Sequence, residues 1–206
     1  MGGVIRVEAE PGIMEIRVAT PRDAAALTAL HVRNLPHGES DFTQLGGPIV
    51  ERFYANAIAR GVGTAFCAVE GGVVAAFVLV TANVRGLFGR ALLAGPRDIA
   101  VFGARVSPRG LVGAVRAKLS SRTIVLPDVP EVVYLVVDPP FRGRRLGAAL
   151  MERADAWFVA EGLRSYDLNV HVDNEAALKT YFKNGQRIVR EYRKDGVRTY
   201  TLRKDL

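Results

Sequence analysis

The chain has 206 residues, of which 49% are hydrophobic and 24% are charged, and its formal net charge at pH 7 is +7. This composition is ordinary for a globular protein and excludes a disordered or fibrous chain, while the length favours one domain. The only cysteine, Cys67, excludes an intramolecular disulfide, and the three histidines lack the spacing of a metal site. We expect residues 1–13 to be a loosely ordered leader and residues 14–206 to form the domain.

Hydropathy and charge restrict the cellular setting and the partners. No apolar run is long enough to span a bilayer and no export signal is present, so we expect a cytoplasmic protein without a transmembrane segment. Basic residues concentrate between Arg85 and Arg122, where only Asp98 opposes them. This pattern alone allows a nucleic acid, an anionic lipid or a phosphorylated ligand. Because no nucleic-acid-binding motif accompanies it, we expect no nucleic acid partner.

The first half of the chain combines strand and helix patterns. Thr20 and Pro21 indicate a helix start, since threonine is a favoured N-cap and proline a favoured first residue. The glycine turn Glu70–Gly72 separates two β-branched and aromatic runs, as in an antiparallel hairpin. In chain order the patterns predict a strand over Glu15–Ala19, a helix to about Asn34, a loop over Leu35–Gly47, a helix through Ile49, Phe53, Ala57 and Ile58, and strands over Thr64–Val69 and Val73–Val80.

The second half contains a continuous apolar run, Val132–Val137, which is typical of a central strand buried on both faces. Tyr166–Val172 alternates instead, so that strand has one polar face. The other predicted elements are a basic helical insertion between Thr81 and Pro130, a proline stop at Asp138–Pro140, a helix over about Arg144–Glu161, a helix capped by Asn174, and two strands joined at Lys194–Gly196.

The segment from Val137 to Ala148 joins the apolar strand to the next helix through a loop that is rich in glycine and arginine. Unpaired N–H groups at a helix N-terminus bind phosphate well, and glycine permits close approach. The alternative is that Gly143 and Gly147 only allow a turn to pack, with solvated arginines around them. The segment is neither a dinucleotide fingerprint nor a Walker loop, because GxGxxG and GK[ST] are both absent.

This segment resembles the acyl-CoA signature of the GNAT superfamily, an R/Q-x-x-G-x-G/A loop after a valine-rich strand. Arg142 and Gly147 match its first and last positions, and Arg145 replaces its middle glycine.

A second match lies further along the chain. Asn174, Ala177, Tyr181 and Gly185 resemble the superfamily's later strand and helix, with Gln186 at a position that is often aromatic.

The resemblance implies an α/β (α+β) fold, in which helices flank a mixed, mainly antiparallel sheet and two central strands splay apart. It also implies an N-acetyltransferase that uses acetyl-CoA as its acyl donor. The acceptor is expected to be a primary amine of an amino sugar or another small metabolite, attacking the thioester directly. A protein amine as acceptor, or a non-catalytic acyl-CoA-binding or sensing module, remains an alternative. A homodimer is possible.

The resemblance also suggests roles for individual residues. The backbone of the central strand would pair with the pantetheine arm and supply oxyanion donors, the loop would hold the pyrophosphate, and Asn174 would contact the pantetheine. Tyr181 is the candidate general acid, with simple core packing as the alternative. The residues expected to contact acetyl-CoA are Leu135, Val136, Val137, Arg142, Gly143, Arg144, Arg145, Leu146, Gly147, Ala148 and Asn174.

The general base stays unassigned. Glu131 precedes the central strand and could take a proton from the acceptor through water, but a solvated strand-end charge is the favoured interpretation. His37 and Glu39 lie in the loop where the superfamily commonly builds its acceptor site. His171 is on the polar face of its strand, and it could equally be a surface histidine.

Overall fold

A computed structural model of the chain describes residues 5–9, 12–35, 46–92, 129–194 and 196–206, with side chains from Met14 onward, Lys194 excepted. The strands are β1 (Ile5–Ala9), β2 (Gly12–Val18), β3 (Thr64–Glu70), β4 (Val73–Thr81), β5 (Glu131–Val137), β6 (Ser165–His171), β7 (Arg187–Lys194) and β8 (Val197–Asp205). The α-helices are α1 (Ala24–Asn34), α2 (Gly47–Ala59), α3 (Val84–Leu92), α4 (Leu146–Ala160) and α5 (Glu175–Lys183).

The described strands form one sheet in the order β1-β2-β3-β4-β5-β6-β8-β7. Every neighbouring pair is antiparallel except β5 and β6, which are parallel. These two strands pair only at Glu131 with Asp167 and at Val132 with Leu168, and then separate. The predicted fold class, including the splayed central strands, is therefore confirmed.

Helices cover the sheet on two sides, and each side has its own apolar core. Helices α1, α2 and α3 pack on one face, around Phe53, Tyr54 and Phe77. Helices α4 and α5 pack on the other, around Leu150, Phe158 and their neighbours. We call these the α1/α2 face and the α4/α5 face. No helix in the described ranges is long and apolar enough to cross a bilayer.

Several local predictions agree with the structure, and others need adjustment. Thr20 caps a short 3-10 turn, Pro21–Asp23, that leads into α1, and the capping box with Asp23 is present. Within the segment for which the sequence predicts a loosely ordered leader, residues 5–9 form β1 and pair with β2. The predicted basic insertion is described only for α3, and its residues 93–128 lie outside the described ranges, as do residues 36–45 of the predicted loop.

The predicted burial of the central strand on both faces is only partly correct. Val132 and Val136 are buried, whereas Val133, Leu135 and Val137 are only half-buried. The cause is the separation of β6 from β5, which leaves one edge of the strand without a neighbouring strand.

A histidine is buried completely on the α1/α2 face. His31, on α1, has no exposed surface, and its Nδ1 lies 2.6 Å from the Tyr54 hydroxyl on α2. Its ring also meets the Tyr134 ring edge-on, with 4.5 Å between the ring centres. Burial lowers the pKa of His31 to about 4. The imidazole is therefore neutral at pH 7, and it can form a hydrogen bond with the Tyr54 hydroxyl in either tautomer.

Protonation of His31 should lower the stability of the folded protein as the pH decreases. The ordinary histidine pKa of 6.5 applies to the unfolded chain, and the folded value is about 4. The unfolded chain therefore gains the proton first, so stability is complete above pH 6.5 and is lost as pH falls towards 4. We expect the free energy of unfolding, measured in urea, to drop by about 2 kcal/mol more between pH 7 and pH 5 in the parent than in His31→Gln. Equal pH dependence in the two proteins would contradict this.

Candidate active site

The edge of β5 that faces β6 has backbone groups available for a ligand. The Asp138 N–H donates to the Ala75 carbonyl at 3.0 Å, which sets the alternation of the ladder between β4 and β5. By this alternation Val136 directs its backbone groups to β4, whereas Leu135 and Val137 direct theirs towards β6. Because β6 has already separated there, an extended ligand can pair with this edge as another strand would.

A β-bulge lies where the two strands begin to separate. Tyr134 pairs with Leu79 and Val132 pairs with Val80, so Val133 has no partner in β4. Val133 and Tyr134 both contact the core of the α1/α2 face, as expected when one residue is inserted into a strand. A bulge rotates the local peptide groups, so backbone donors can be aimed into the opening between the strands.

The end of β5 is tied to the end of α1. Asp138 is buried and accepts two hydrogen bonds from Arg33, at 3.1 Å from Nε and 2.7 Å from Nη2. Asn34 adds a third donor, its Nδ2 at 3.2 Å. A bidentate, charge-assisted pair of this kind fixes both distance and orientation. The loop that follows therefore starts from a defined point.

The loop arginines have different partners. The Nε of Arg142 donates to the Val137 carbonyl at 3.1 Å. Arg144 is 3.1 Å from the Glu70 carboxylate at the end of β3, so this guanidinium is already paired with a carboxylate. Arg145 is exposed and immediately precedes α4. Of the three arginines that the sequence predicts to contact acetyl-CoA, Arg142 and Arg145 have no described carboxylate partner.

The backbone of this loop forms a concave group of N–H donors. Gly143 and Arg145 both have left-handed conformations, with φ of 81° and 59°. The N–H of Ala149 donates to the Arg145 carbonyl at 3.1 Å, whereas the N–H groups of residues 143–148 have no backbone acceptor within the described ranges. Helix starts and left-handed turns of this kind are anion-binding arrangements, and the helix dipole reinforces them.

Gly147 faces the splayed strand and α5 at close range. A Cβ at this position would lie 3.6, 3.9 and 4.0 Å from side-chain atoms of Thr180, Val137 and Leu135. These are ordinary van der Waals distances, so one methyl group would fit while a larger side chain would fill the space above the strand. The preceding leucine is buried in the core and the following alanine is exposed.

Two predicted residues of α5 lie near this opening. Asn174 caps the helix, because its Oδ1 accepts the Ala177 N–H at 3.2 Å, and its Nδ2 has no partner among the described residues. Tyr181 is 7% exposed, and its hydroxyl makes no hydrogen bond within the described part of the chain. Burial raises the pKa of Tyr181 to about 12, so the phenol keeps its proton at neutral pH and is available as a donor.

The α1/α2 face of the splay has a buried carboxylate. Glu131 is 9% exposed, so the favoured interpretation of a solvated strand-end charge is wrong. Its Oε1 lies 3.4 Å from the Nδ2 of Asn169 on β6. The pKa of Tyr192 on β7 is raised, first by the burial of Tyr192 itself and second by the charge of Glu131. The sequence indicates a polar face for β6, but it does not indicate that Asn169 and Tyr192 meet Glu131 there.

The other base candidates are not part of this group. His37 and Glu39 lie outside the described residues. His171 is half-buried on the same face of β6 as Asn169, but its side chain makes no hydrogen bond with Glu131.

Comparison with known proteins identifies the family. The model of the Acetyltransferase (GNAT) family matches residues 39–185. Over 58 residues the chain is 38% identical to an uncharacterized N-acetyltransferase of Methanocaldococcus jannaschii. That match covers 28% of this chain and 26% of the relative, so it spans about a quarter of the relative's length.

Solved structures agree on the fold. An acetyltransferase of the GNAT family from Streptococcus pneumoniae is similar with a TM-score of 0.57 at 24% identity, over 94% of this chain and 99% of that chain. The YncA protein of Salmonella typhimurium, solved with its cofactor acetyl-CoA, is similar with a TM-score of 0.61 at 15% identity, over 93% of each chain. Since the family model covers more than half of the sequence and the predicted fold is present, this chain belongs to the GNAT family of acetyltransferases.

Proposed function

We propose that this protein transfers an acetyl group from acetyl-CoA to a primary amine by direct attack. The observation that carries the proposal is the open edge of β5 beside a loop of unpaired N–H donors. The open strand edge suits an extended amide-containing arm, and the loop of N–H donors suits a pyrophosphate. Acetyl-CoA contains both groups, and it is the cofactor in the similar Salmonella structure. The electrophile in this proposal is the acetyl thioester.

The proposed contacts follow from the availability of each group. The backbone of Leu135 and Val137 binds the pantetheine arm, and the Nδ2 of Asn174 contacts it from α5. The N–H groups of residues 143–148 bind the pyrophosphate, with Arg142 and Arg145 adding positive charge. Arg144, which pairs with Glu70, has the smaller share of this binding.

The proposed chemistry needs one proton acceptor and one proton donor. The Glu131 carboxylate takes a proton, through a water molecule, from the acceptor ammonium and leaves a neutral amine. A C–N bond forms at the thioester carbon as the C–S bond breaks, and the Tyr181 hydroxyl gives its proton to the departing sulfur. The surplus proton on nitrogen returns to the Tyr181 phenolate. The proton on Glu131 passes to solvent, so each turnover releases one proton.

The acceptor in this proposal is the primary amine of a small metabolite, such as an amino sugar. A protein amine is the second candidate for the acceptor. Measuring free CoA released with a panel of amines, including glucosamine and a lysine-containing peptide, distinguishes the two. A non-catalytic acyl-CoA-binding module would release CoA with none of them.

The first prediction of this proposal concerns Gly147. One methyl group fits beside Thr180, Val137 and Leu135, whereas the branched side chain of valine would occupy the space of the ligand. We therefore expect Gly147→Ala to fold and to bind acetyl-CoA within about threefold of the parent, and Gly147→Val to lose tenfold or more in affinity. Calorimetric titration measures both. Unchanged affinity in a folded Gly147→Val variant would place the ligand elsewhere.

The second prediction concerns Tyr181. Loss of a general acid affects the transition state more than the bound ground state, so Tyr181→Phe should lower kcat by about 10²- to 10⁴-fold and leave acetyl-CoA affinity within about twofold. Single-turnover release of CoA measures the chemical step. Tyr166→Phe is the matched control, because it removes a buried phenol hydroxyl that bonds to Asp155 at 2.7 Å in the same core. Equal rates in Tyr181→Phe and the parent would reduce Tyr181 to a packing role.

A further inference from the structure

Four side chains from four strands meet on the α1/α2 face of the sheet. We call them the Asn169 cluster: Glu131 of β5, Asn169 of β6, Tyr192 of β7 and Thr201 of β8. Asn169 is at the centre, because its Oδ1 accepts the Thr201 hydroxyl at 2.9 Å and the Tyr192 hydroxyl at 3.2 Å. Its Nδ2 faces the Glu131 carboxylate at 3.4 Å.

The chemistry of these groups determines which way the Asn169 amide points. An ionised carboxylate only accepts hydrogen bonds, so the amide must present its NH2 group to Glu131. The amide oxygen then faces the opposite direction, where the hydroxyls of Thr201 and Tyr192 can both donate to it. Thr201 is also the direct strand partner of Asn169, so its hydroxyl is held at a fixed register. The reversed amide would turn its own oxygen towards the carboxylate and lose the hydrogen bond to Glu131.

The cluster lies at the point where the splay begins. Glu131 belongs to the first of the two residue pairs that join β5 and β6, and the bulge at Val133 is two residues further on. Only 9% of Glu131 is exposed, so water alone does not solvate its carboxylate. The raised pKa of Tyr192 keeps its hydroxyl protonated, which preserves the donor to Asn169.

We infer that Asn169 is a positioning residue for Glu131, with Thr201 and Tyr192 as its supports. The amide holds the carboxylate at the start of the splay, in the orientation that receives a proton from the acceptor ammonium. This inference rests on the proposed function and extends it to the acceptor class. A fixed carboxylate benefits amines that are protonated at neutral pH, and it gives no benefit to amines that are already neutral.

The mechanism of positioning is entropic and geometric. A glutamate side chain has several rotatable bonds, and fixing them at each encounter reduces the probability of proton transfer. The hydrogen bond from Asn169 removes part of that freedom before the acceptor binds. Loss of the amide should therefore reduce the rate with a basic amine without changing how acetyl-CoA binds.

The test compares two acceptors with the 206-residue chain. n-Butylamine is an ammonium ion at pH 7.5, whereas methoxylamine is neutral at that pH and needs no base. The measurement is kcat/KM for release of CoA at saturating acetyl-CoA, after subtraction of the uncatalysed rate. Acetyl-CoA affinity by calorimetry and the melting temperature are recorded for every variant.

We expect Glu131→Gln to lower kcat/KM by about 10²-fold or more with n-butylamine and by less than about threefold with methoxylamine. Asn169→Ala should lower kcat/KM by about tenfold with n-butylamine and leave kcat/KM with methoxylamine unchanged. Thr201→Val should lower kcat/KM by about threefold, again with n-butylamine only. Asn169→His, which retains a nitrogen donor, should recover part of the loss. His171→Ala is the matched control on the same face of β6, and it should leave both rates unchanged.

The outcomes separate the two levels of the proposal. If Glu131→Gln is selective for n-butylamine but Asn169→Ala slows both amines equally or neither, Asn169 has no positioning role and this inference fails. If Glu131→Gln slows both amines equally, or if the parent releases CoA with neither amine, the base role or the proposed activity fails instead. An equal loss with both amines accompanied by a lower melting temperature would show that Asn169 is only structural.

Discussion

The separation of β5 from β6 after two residue pairs is the constraint on which the rest of the site depends. A central strand normally pairs along both edges, because unpaired backbone groups are costly when buried. Here the two strands are held apart by their outer partners. β6 pairs with β8 over seven residues, from Ser165 to His171, and β5 pairs with β4 along almost its whole length. The opening is therefore built into the sheet and does not require a ligand to force it.

The far end of β5 needs its own anchor, since β6 no longer supports it. The hydrogen bonds of Arg33 and Asn34 to Asp138 supply that anchor from α1, and Arg142 returns from the loop to the Val137 carbonyl. The contacts of Arg33 and Asn34 with Asp138 join residues more than 100 positions apart in the sequence. They also explain why the loop can present unpaired N–H groups without collapsing onto the open strand.

Much of the fold could be predicted from local patterns, because those patterns have local causes. The capping by Thr20 of the 3-10 turn before α1 and the glycine turn between β3 and β4 are set by residues next to each other. The alternation of β6 likewise predicted its buried face. Each of these predictions needed only side-chain periodicity and the backbone preferences of a few residues.

The parts that could not be predicted are made by distant residues. Glu131 contacts Asn169, and Asn169 contacts two hydroxyl partners, so these hydrogen bonds join residues of four different strands. Similarly, the complete burial of His31 depends on contacts with Tyr54 and Tyr134, none of which has a sequence signature. Strand β1 was missed because it pairs with β2 within a segment that the sequence suggested was a leader.

Arg145 shows how a departure from a family pattern can be structurally consistent. The resembling signature has glycine at this position, and the left-handed φ of 59° shows why glycine would be favoured there. A side chain in this conformation costs about 1–2 kcal/mol. The cost is a sizeable fraction of the stability of a domain, which is about 5–15 kcal/mol. In return, the substitution adds a positive charge directly before the first turn of α4, beside the unpaired N–H groups of the loop. Arg145 therefore keeps the backbone conformation that glycine would favour. Its side chain disfavours this conformation locally, while its positive charge favours the binding of an anion.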